Sequence, residues 1–334
     1  ARYGVRVSTI GDLEAFTDRF LDAARAGDGD AFRQLVAPHL RVLHVHCYRM
    51  LGSYADAEDA MQESLLRAWR GLGGYEGRSP LRHWLYRITT TTCLKMINRR
   101  AREPLSTDHV AWLQPYPDAL LDQLVDFDAD PAAVIDRRES VALGFIAALQ
   151  VLPGTQRAVL ILRDVLAWPS RDVAELLETT VAGVNSALQR ARATLAQPPV
   201  AGVAARPFSD QERRVIDAFM QAWARCDVAA IAALLRDDAI LTMPPQSFRI
   251  VGRDDVAAFF ATVPADGRLD LIRLIVTRAN GHPTLAAYLP HDSVGCRGYG
   301  IMVVTVTDEA VATITGFPDP DLFPLFDLPV RLEP

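Results

Sequence analysis

The sequence predicts a multidomain chain in which two all-α units precede an α+β domain, and three observations carry that expectation. Apolar residues recur at helical spacing across 12–100 and again across 137–196. A connector rich in proline and aspartate, 101–136, separates the two stretches and shows no period. From Asp210 onward the pattern becomes two helical stretches followed by alternating runs, with Asn280-Gly281 between two of the runs as a hairpin signal. With 334 residues, 50% of them hydrophobic and 23% charged, the chain has apolar material for several cores, which excludes wholesale disorder.

Each element has a local reason. Asp30 can cap a helix carrying Phe32, Leu35, Val36, Leu40, Leu43 and Val45, and Pro38 inside that run predicts a break. Gly52 and Ser53 close it. Asp56 opens a second helix reaching Arg70, with acidic residues in its first turn where the helix dipole favours them. A turn with Gly71, Gly73, Gly74 and Gly77 follows, and Pro80 starts a third helix. Four prolines and seven aspartates make 101–136 a linker; 137–196 is helical again, and 197–209 is a second linker. The last domain, 210–334, starts with helices at 210–225 and 227–236, a short strand at Ala239–Met243 and a helix at 253–263. Alternating runs at 268–279, 284–290, 298–306 and 310–317 complete it as an antiparallel meander.

The net charge of −6 hides an asymmetry. Residues 1–100 carry +4, 101–136 carry −7, 137–196 carry +2 and 197–334 carry −5. No window approaches the ~18 apolar residues of a membrane span, and the first residues show no secretory leader. Cys47, Cys93, Cys226 and Cys296 form no CxxC and are too scattered for a disulfide framework, so a cytoplasmic location is expected.

Three segments carry candidate chemistry. The stretch from LPGTQRAVLILRDVL to NSALQRARATL reads as a helix-turn-helix, with a short helix from Arg171 to Leu177 and Thr180 as cap of the last helix. There Val184, Leu188, Ala191 and Leu195 face inward, leaving Ala182, Asn185, Ser186, Gln189 and Arg190 outward, a face suited to reading base edges in a major groove. An ordinary three-helix bundle with a solvated face is the alternative. The helix 56–70 sets a stripe of Ala60, Met61, Leu65, Ala68 and Trp69 against Glu58, Asp59, Gln62, Glu63, Arg67 and Arg70. Leu66 lies off the stripe, a pattern that suits docking against another helix or a plain solvated face. The segment 75–100 interleaves Tyr75, Trp84 and Tyr86 with Arg78, Arg82, Arg87, Lys95, Arg99 and Arg100, the composition that tracks phosphates and stacks unpaired bases.

Other groups point nowhere in particular. His39, His44, His46 and Cys47 are close in sequence, but a helix sends His44 and His46 to different sides, so satisfied imidazoles are expected rather than a metal site. Asp217, Trp223, His282, Tyr288 and His291 have no spacing that defines an acid–base pair. No catalytic residue, metal or cofactor is expected.

Together the three segments, over about 15–196, resemble an extracytoplasmic-function sigma factor of the sigma-70 family. AEDAMQESLLRAWR (57–70) is similar to that family's polymerase-docking helix, and GRSPLRHWLYRITTTTCLKMINRR (77–100) to its minus-ten segment within the region 2 helical bundle. The helix-turn-helix is similar to region 4. The resemblance implies core RNA polymerase and promoter DNA as partners, the polymerase engaged through its large-subunit clamp helices and flap. It places Glu58, Asp59, Gln62, Glu63 and Arg67 on the clamp helices. A flipped minus-ten base falls to the loop from Tyr75 to Pro80, nearest Arg78 and Ser79, and the strand to Arg82, Arg87, Lys95, Asn98 and Arg99. Thr180, Asn185, Ser186, Gln189 and Arg190 fall at the minus-thirty-five groove, with Arg171 and Arg192 on phosphates. The family commonly has alanine or asparagine where this chain has Thr89–Thr92, and four β-branched residues weaken a helix.

Residues 210–334 resemble SnoaL-like domains, curled sheets wrapped by helices around a pocket able to take a small molecule; DAFMQAWARCDVAAIAALLRDDAILTMPP and FRIVGRDDVAAFF carry the likeness. A subset of these sigma factors bears such an extension as a fused regulator, which implies that no separate anti-sigma protein is required. WLQPYPD (112–118) and ANGHPT (279–284) are similar to that subset. Trp112, Leu113, Pro115 and Tyr116, with Asn280 and Gly281, are therefore expected to form a regulatory contact in which the linker packs between the promoter-binding and C-terminal domains. Two other classes stay open: a pocket enzyme with an attached DNA-binding module, and a ligand-sensing repressor or activator, which would leave 55–100 without a task.

Overall fold

A computed structural model describes residues 20–100, 113–122, 141–195, 209–246, 248–291 and 295–333. They fall into two compact units, one of 20–100 and 144–195, the other of 113–122, 141–143 and 209–333.

The first unit is helical. Helix α1 (Gly29–Val36) is capped by Asp28, whose carboxylate accepts from Asp30 N at 2.8 Å and Ala31 N at 3.1 Å; the sequence had pointed to Asp30, which sits in the first turn instead. Pro38 produces a single 3-10 turn, Ala37–His39, before α2 (Leu40–Leu51). Gly52 ends α2 in the left-handed region at φ 76°, where a Cβ would come within 2.8 Å of Gln150. Helix α3 runs Tyr54–Gly71 and starts earlier than expected, because Ser53 is the cap: its Oγ accepts from Asp56 N at 3.2 Å.

Helix α4 (Leu81–Arg100) is continuous through the four threonines. Thr89 Oγ1 donates to Leu85 O at 2.8 Å and Thr92 Oγ1 to Ile88 O at 2.9 Å, while Thr90 bonds His46 Nε2 at 2.9 Å. Three of the four are buried, so packing against α2 and α3 offsets the weak propensity. Leu35, Leu43, Cys47, Met50, Ala57, Ala60, Leu85 and Cys93 make the core of this bundle. After the short helix α5 (Asp118–Asp122) of the second unit, helices α6 (Leu143–Gln150), α7 (Gly154–Leu160, continued by a π turn over Ile161–Val165), α8 (Ser170–Leu176) and α9 (Val181–Leu195) close around Ile146, Leu149, Ala158, Ile161, Val173, Val184 and Ala191.

The second unit pairs helices with a mixed sheet. Helix α10 (Asp210–Ala224) opens on a full capping box between Ser209 and Glu212. Helix α11 (Val228–Leu234) ends sooner than its apolar pattern suggested, since β1 (Leu235–Thr242) begins by pairing Leu235 with Val311. Strands β2 (Arg249–Val251), β3 (Arg273–Ala279), β4 (His282–Pro290), β5 (Cys296–Thr307) and β6 (Ala310–Phe317) give the order β2-β1-β6-β5-β4-β3, with β7 (Arg331–Leu332) on β5. The meander holds for β3 to β6, but β1 lies parallel to β6. Strands β2 and β7 are too short to show in an alternation pattern. Helices α10, α11 and α12 (Arg253–Thr262) cover one face of the sheet. Phe219, Trp223, Phe259 and Phe260 fill the space above Leu285, Ala287, Val304 and Ile314.

Candidate polymerase and nucleic-acid interfaces

The surface of α3 is divided as its sequence requires. Ala57, Ala60, Met61, Ser64 and Ala68 are buried, whereas Glu58, Asp59, Gln62 and Glu63 are exposed and Arg67 is half-buried. Arg67 Nε donates to Glu63 Oε1 at 2.6 Å, one helical turn away. Leu66 stands 51% exposed among these polar groups, an apolar contact offered to solvent. Glu58 also lies 2.9 Å from His44 Nε2, which orients one member of the face from α2.

On α4, Arg82, Arg87, Lys95, Asn98 and Arg99 are all exposed. Tyr75 is not. It is 7% exposed, packs against Trp84 with ring centroids 5.1 Å apart, and its hydroxyl donates to Ser79 O at 2.7 Å. The expectation of Tyr75 as a stacking group is therefore corrected: the ring pins the loop from beneath, because an aromatic beside Leu72 and Trp84 gains more by burial than by standing in water. Arg78 is exposed and pairs with Glu76, and Ser79 is half-buried.

The polar face of α9 is exposed as its spacing predicts, while Leu195, expected inward, is half-buried. Val184, Ala187, Leu188 and Ala191 are buried; Asn185, Ser186, Gln189 and Arg190 are exposed together. Thr180 Oγ1 accepts from Gly183 N at 3.0 Å as the cap. Arg171 is exposed, and Arg192 makes a two-bond pair with Asp164 at 2.9 and 2.7 Å.

Within this unit the helix-turn-helix packs on the basic bundle through residues the sequence did not single out. Arg157 is buried; its Nη1 donates to Met50 O at the end of α2, and its Nη2 to Gln150 O and Leu152 O, both at 3.0 Å. Burial lowers its pKa to about 10, so the guanidinium stays charged and neutralises the carbonyl end of α2. Trp168 stacks on His83 at 4.1 Å and meets Tyr86 edge-on at 5.2 Å. Arg87 pairs with Glu178, and both line a cleft of about 290 Å³ with Arg67, Trp84, Ile88 and Thr91. No periodicity marks a buried arginine or a partnered surface glutamate.

In the second unit the connector is held on the β3–β4 hairpin. Leu113, Pro115, Tyr116, Pro117 and Asp118 are buried; Trp112 lies outside the described residues. Asn280, left-handed at φ 54° and fully buried, exchanges two bonds with Tyr116: its Oδ1 accepts from Tyr116 N at 2.7 Å and its N donates to Tyr116 O at 2.9 Å. Its Nδ2 donates to Val141 O at 2.7 Å, and Gly281 N donates to Asp118 Oδ1 at 2.8 Å. Arg278 faces buried Asp118 at 3.0 Å and Asp122 at 3.4 Å. Asp118, Val141 and Arg278 were missed, although Asp118 lies within the quoted WLQPYPD.

The discounted groups stay apart. His44 faces Glu58 and His46 faces Thr90, and no cluster of metal-binding side chains occurs among the described residues. Asp217 and His291 are exposed, Trp223 belongs to the core, and Tyr288 donates to Pro329 O at 2.9 Å from the opposite face of the sheet. Among the described residues no helix is long and apolar enough to cross a membrane.

Known proteins match this chain over the same segments. Sigma-70 region 2 matches residues 35–103, Sigma-70 region 4 matches 143–195, and the SnoaL-like domain matches 216–312. The ECF RNA polymerase sigma factor SigG of Mycobacterium tuberculosis is 38% identical over 327 residues, spanning 92% of this chain and 86% of that protein. SigJ of the same species is 30% identical over 295 residues, covering 83% and 88% of the two chains. The crystal structure of Mycobacterium tuberculosis SigJ superposes with a TM-score of 0.60 over 88% of this chain and 99% of that one, at 23% identity, a likeness of fold. The chain belongs to the extracytoplasmic-function RNA polymerase sigma factors, which direct promoter-specific transcription initiation, and carries a SnoaL-like domain after its helix-turn-helix.

Proposed function

We propose that this chain engages core RNA polymerase through Glu58, Asp59, Gln62, Glu63 and Arg67 around the exposed Leu66. In this reading Arg78, Ser79, Arg82, Arg87, Lys95, Asn98 and Arg99 take the opened minus-ten strand, with Tyr75 shaping their loop. Asn185, Ser186, Gln189 and Arg190 read the minus-thirty-five groove, flanked by Thr180, Arg171 and Arg192. The observation that carries the reading is the common exposure of those four side chains on one face of α9, in a chain that also exposes five basic or amide groups along α4. Run-off transcription by core polymerase with the full chain tests it: specific transcripts are expected, and their loss on Asn185→Ala with Arg190→Ala is the supporting result. A chain that fails to co-purify with core polymerase sinks the reading.

The second part of the proposal is control in cis, in the cytoplasm and without a separate anti-sigma protein. Two contacts support it. The helix-turn-helix is docked on the basic bundle, by Arg157 at the end of α2 and, on the minus-ten helix, by Trp168 and the Arg87–Glu178 pair, which occupies one of the proposed strand contacts. The connector is folded into the C-terminal unit by Asn280, which shortens the free chain available for spanning two promoter elements. The SnoaL-like domain acts here by packing rather than by catalysis, since Phe219, Trp223, Phe259 and Phe260 fill the region over its sheet.

A further inference from the structure

The exposed face of α9 is not equally free at each position. Arg190 Nη1 donates to Ser186 Oγ at 2.6 Å, one turn back on the same helix. Asn185 is tied from outside the helix. Ser170, the first residue of α8, places its Oγ 3.0 Å from Asn185 Oδ1. Arg192 is drawn the other way, to Asp164.

A hydroxyl facing a carbonyl oxygen has one productive polarity: O–H donates and Oδ1 accepts. That bond turns the oxygen of the Asn185 carboxamide toward α8 and leaves Nδ2 as the end presented outward. A carboxamide without such a tether can flip, offering an acceptor or a donor to a base edge. Tethered with its Oδ1 on the Ser170 hydroxyl, it offers the donor. Serine is short and sits half-buried at a helix start behind Pro169, so holding this geometry costs little side-chain entropy.

We propose that Ser170 is a positioning residue for promoter readout, fixing the Asn185 carboxamide so that Nδ2 donates to a hydrogen-bond acceptor on a major-groove base edge. The inference rests on the reading that α9 enters the minus-thirty-five groove. Guanine O6 and N7, adenine N7 and thymine O4 are acceptors there, whereas cytosine presents its N4 amino donor. The base under Asn185 is thus selected against cytosine, by a factor on the order of ten for one mismatched contact.

The test uses core polymerase reconstituted with the full chain and a promoter library randomised across the upstream element, read as base preference at each position. The wild-type chain is expected to disfavour cytosine at one position. Ser170→Ala is expected to cut that preference to about twofold while leaving the other positions as they were, and Ser170→Thr, which keeps the hydroxyl, restores it. Asn185→Ala should lose the same position, with no further loss when Ser170→Ala is added. A Ser170→Ala profile identical to wild type, or a loss spread evenly over all positions, overturns the inference while leaving the sigma-factor reading intact. A wild-type profile with no upstream preference overturns both.

Discussion

Buried histidines on α2 and in the turn before it tie stability to pH. Burial, with Arg49 nearby, holds the pKa of His46 down to about 3, and burial holds His39 and His44 to about 4, against 6.5 when free. Between those values the unfolded chain binds protons that the folded chain refuses. The stability is therefore complete above about pH 6.5 and is lost as pH falls toward the folded values; one such group loses roughly 2 kcal/mol by pH 5. The thermal midpoint is expected to fall between pH 7 and pH 5, and His46→Gln should flatten the slope while lowering the midpoint at pH 7, because it disturbs the bond to Thr90. A midpoint that does not move over this range contradicts the assignment. The divergence of His44 and His46 was legible from helical spacing, but their partners were not: Glu58 and Thr90 lie 14 and 44 residues away and meet them only through packing.

At the scale of elements, short-range chemistry decided which helices form and long-range packing decided their ends and strains. The cap of α3 was misplaced from Ser53 to Asp56 because both residue types favour helix starts and the choice follows from backbone geometry at Gly52. Ser53→Ala is expected to cost about 1 kcal/mol in chemical denaturation. Glu178 poses the sharper case. It holds φ 53° in the turn between α8 and α9, a conformation that costs a non-glycine residue roughly 1–2 kcal/mol. Its pair with Arg87 is 47% and 76% exposed on the two sides and is worth at most about 1 kcal/mol after screening. Strain relief thus matches or exceeds the lost pair, so Glu178→Gly should leave the unfolding midpoint unchanged or raised. It should also free Arg87, seen as tighter binding of single-stranded minus-ten DNA by the chain with core polymerase. Unchanged binding would show that this pair does not mask the strand site. The four threonines of α4 make the same point in reverse: their poor propensity was visible, and their burial and carbonyl bonds were not.

For the molecule as a whole, the connector is the element whose behaviour separates the regulatory reading from its rivals. Asn280→Gly keeps the left-handed turn and removes the side-chain bonds to Tyr116 of the connector and to Val141. It is expected to speed proteolytic cleavage within 101–140 severalfold and to raise promoter-specific transcription by the full chain. Cleavage and transcription both unchanged would remove Asn280 from the mechanism. Within WLQPYPD, Tyr116 and Asp118 bond to the hairpin residues Asn280 and Gly281.

Period, punctuation and charge by themselves determined two helical segments, an acidic connector and a terminal α+β domain, because those features depend on residues within a few turns of one another. The outward face of α9 and the acidic face of α3 belong to that class. Tertiary structure alone decided that Tyr75 turns inward, that Arg157 enters the carbonyl end of α2, that β1 runs parallel to β6 and that Arg278 pairs with Asp118. All but the first join groups far apart in the chain, where the gain from satisfying a carbonyl or pairing a charge exists only once both partners have been brought together.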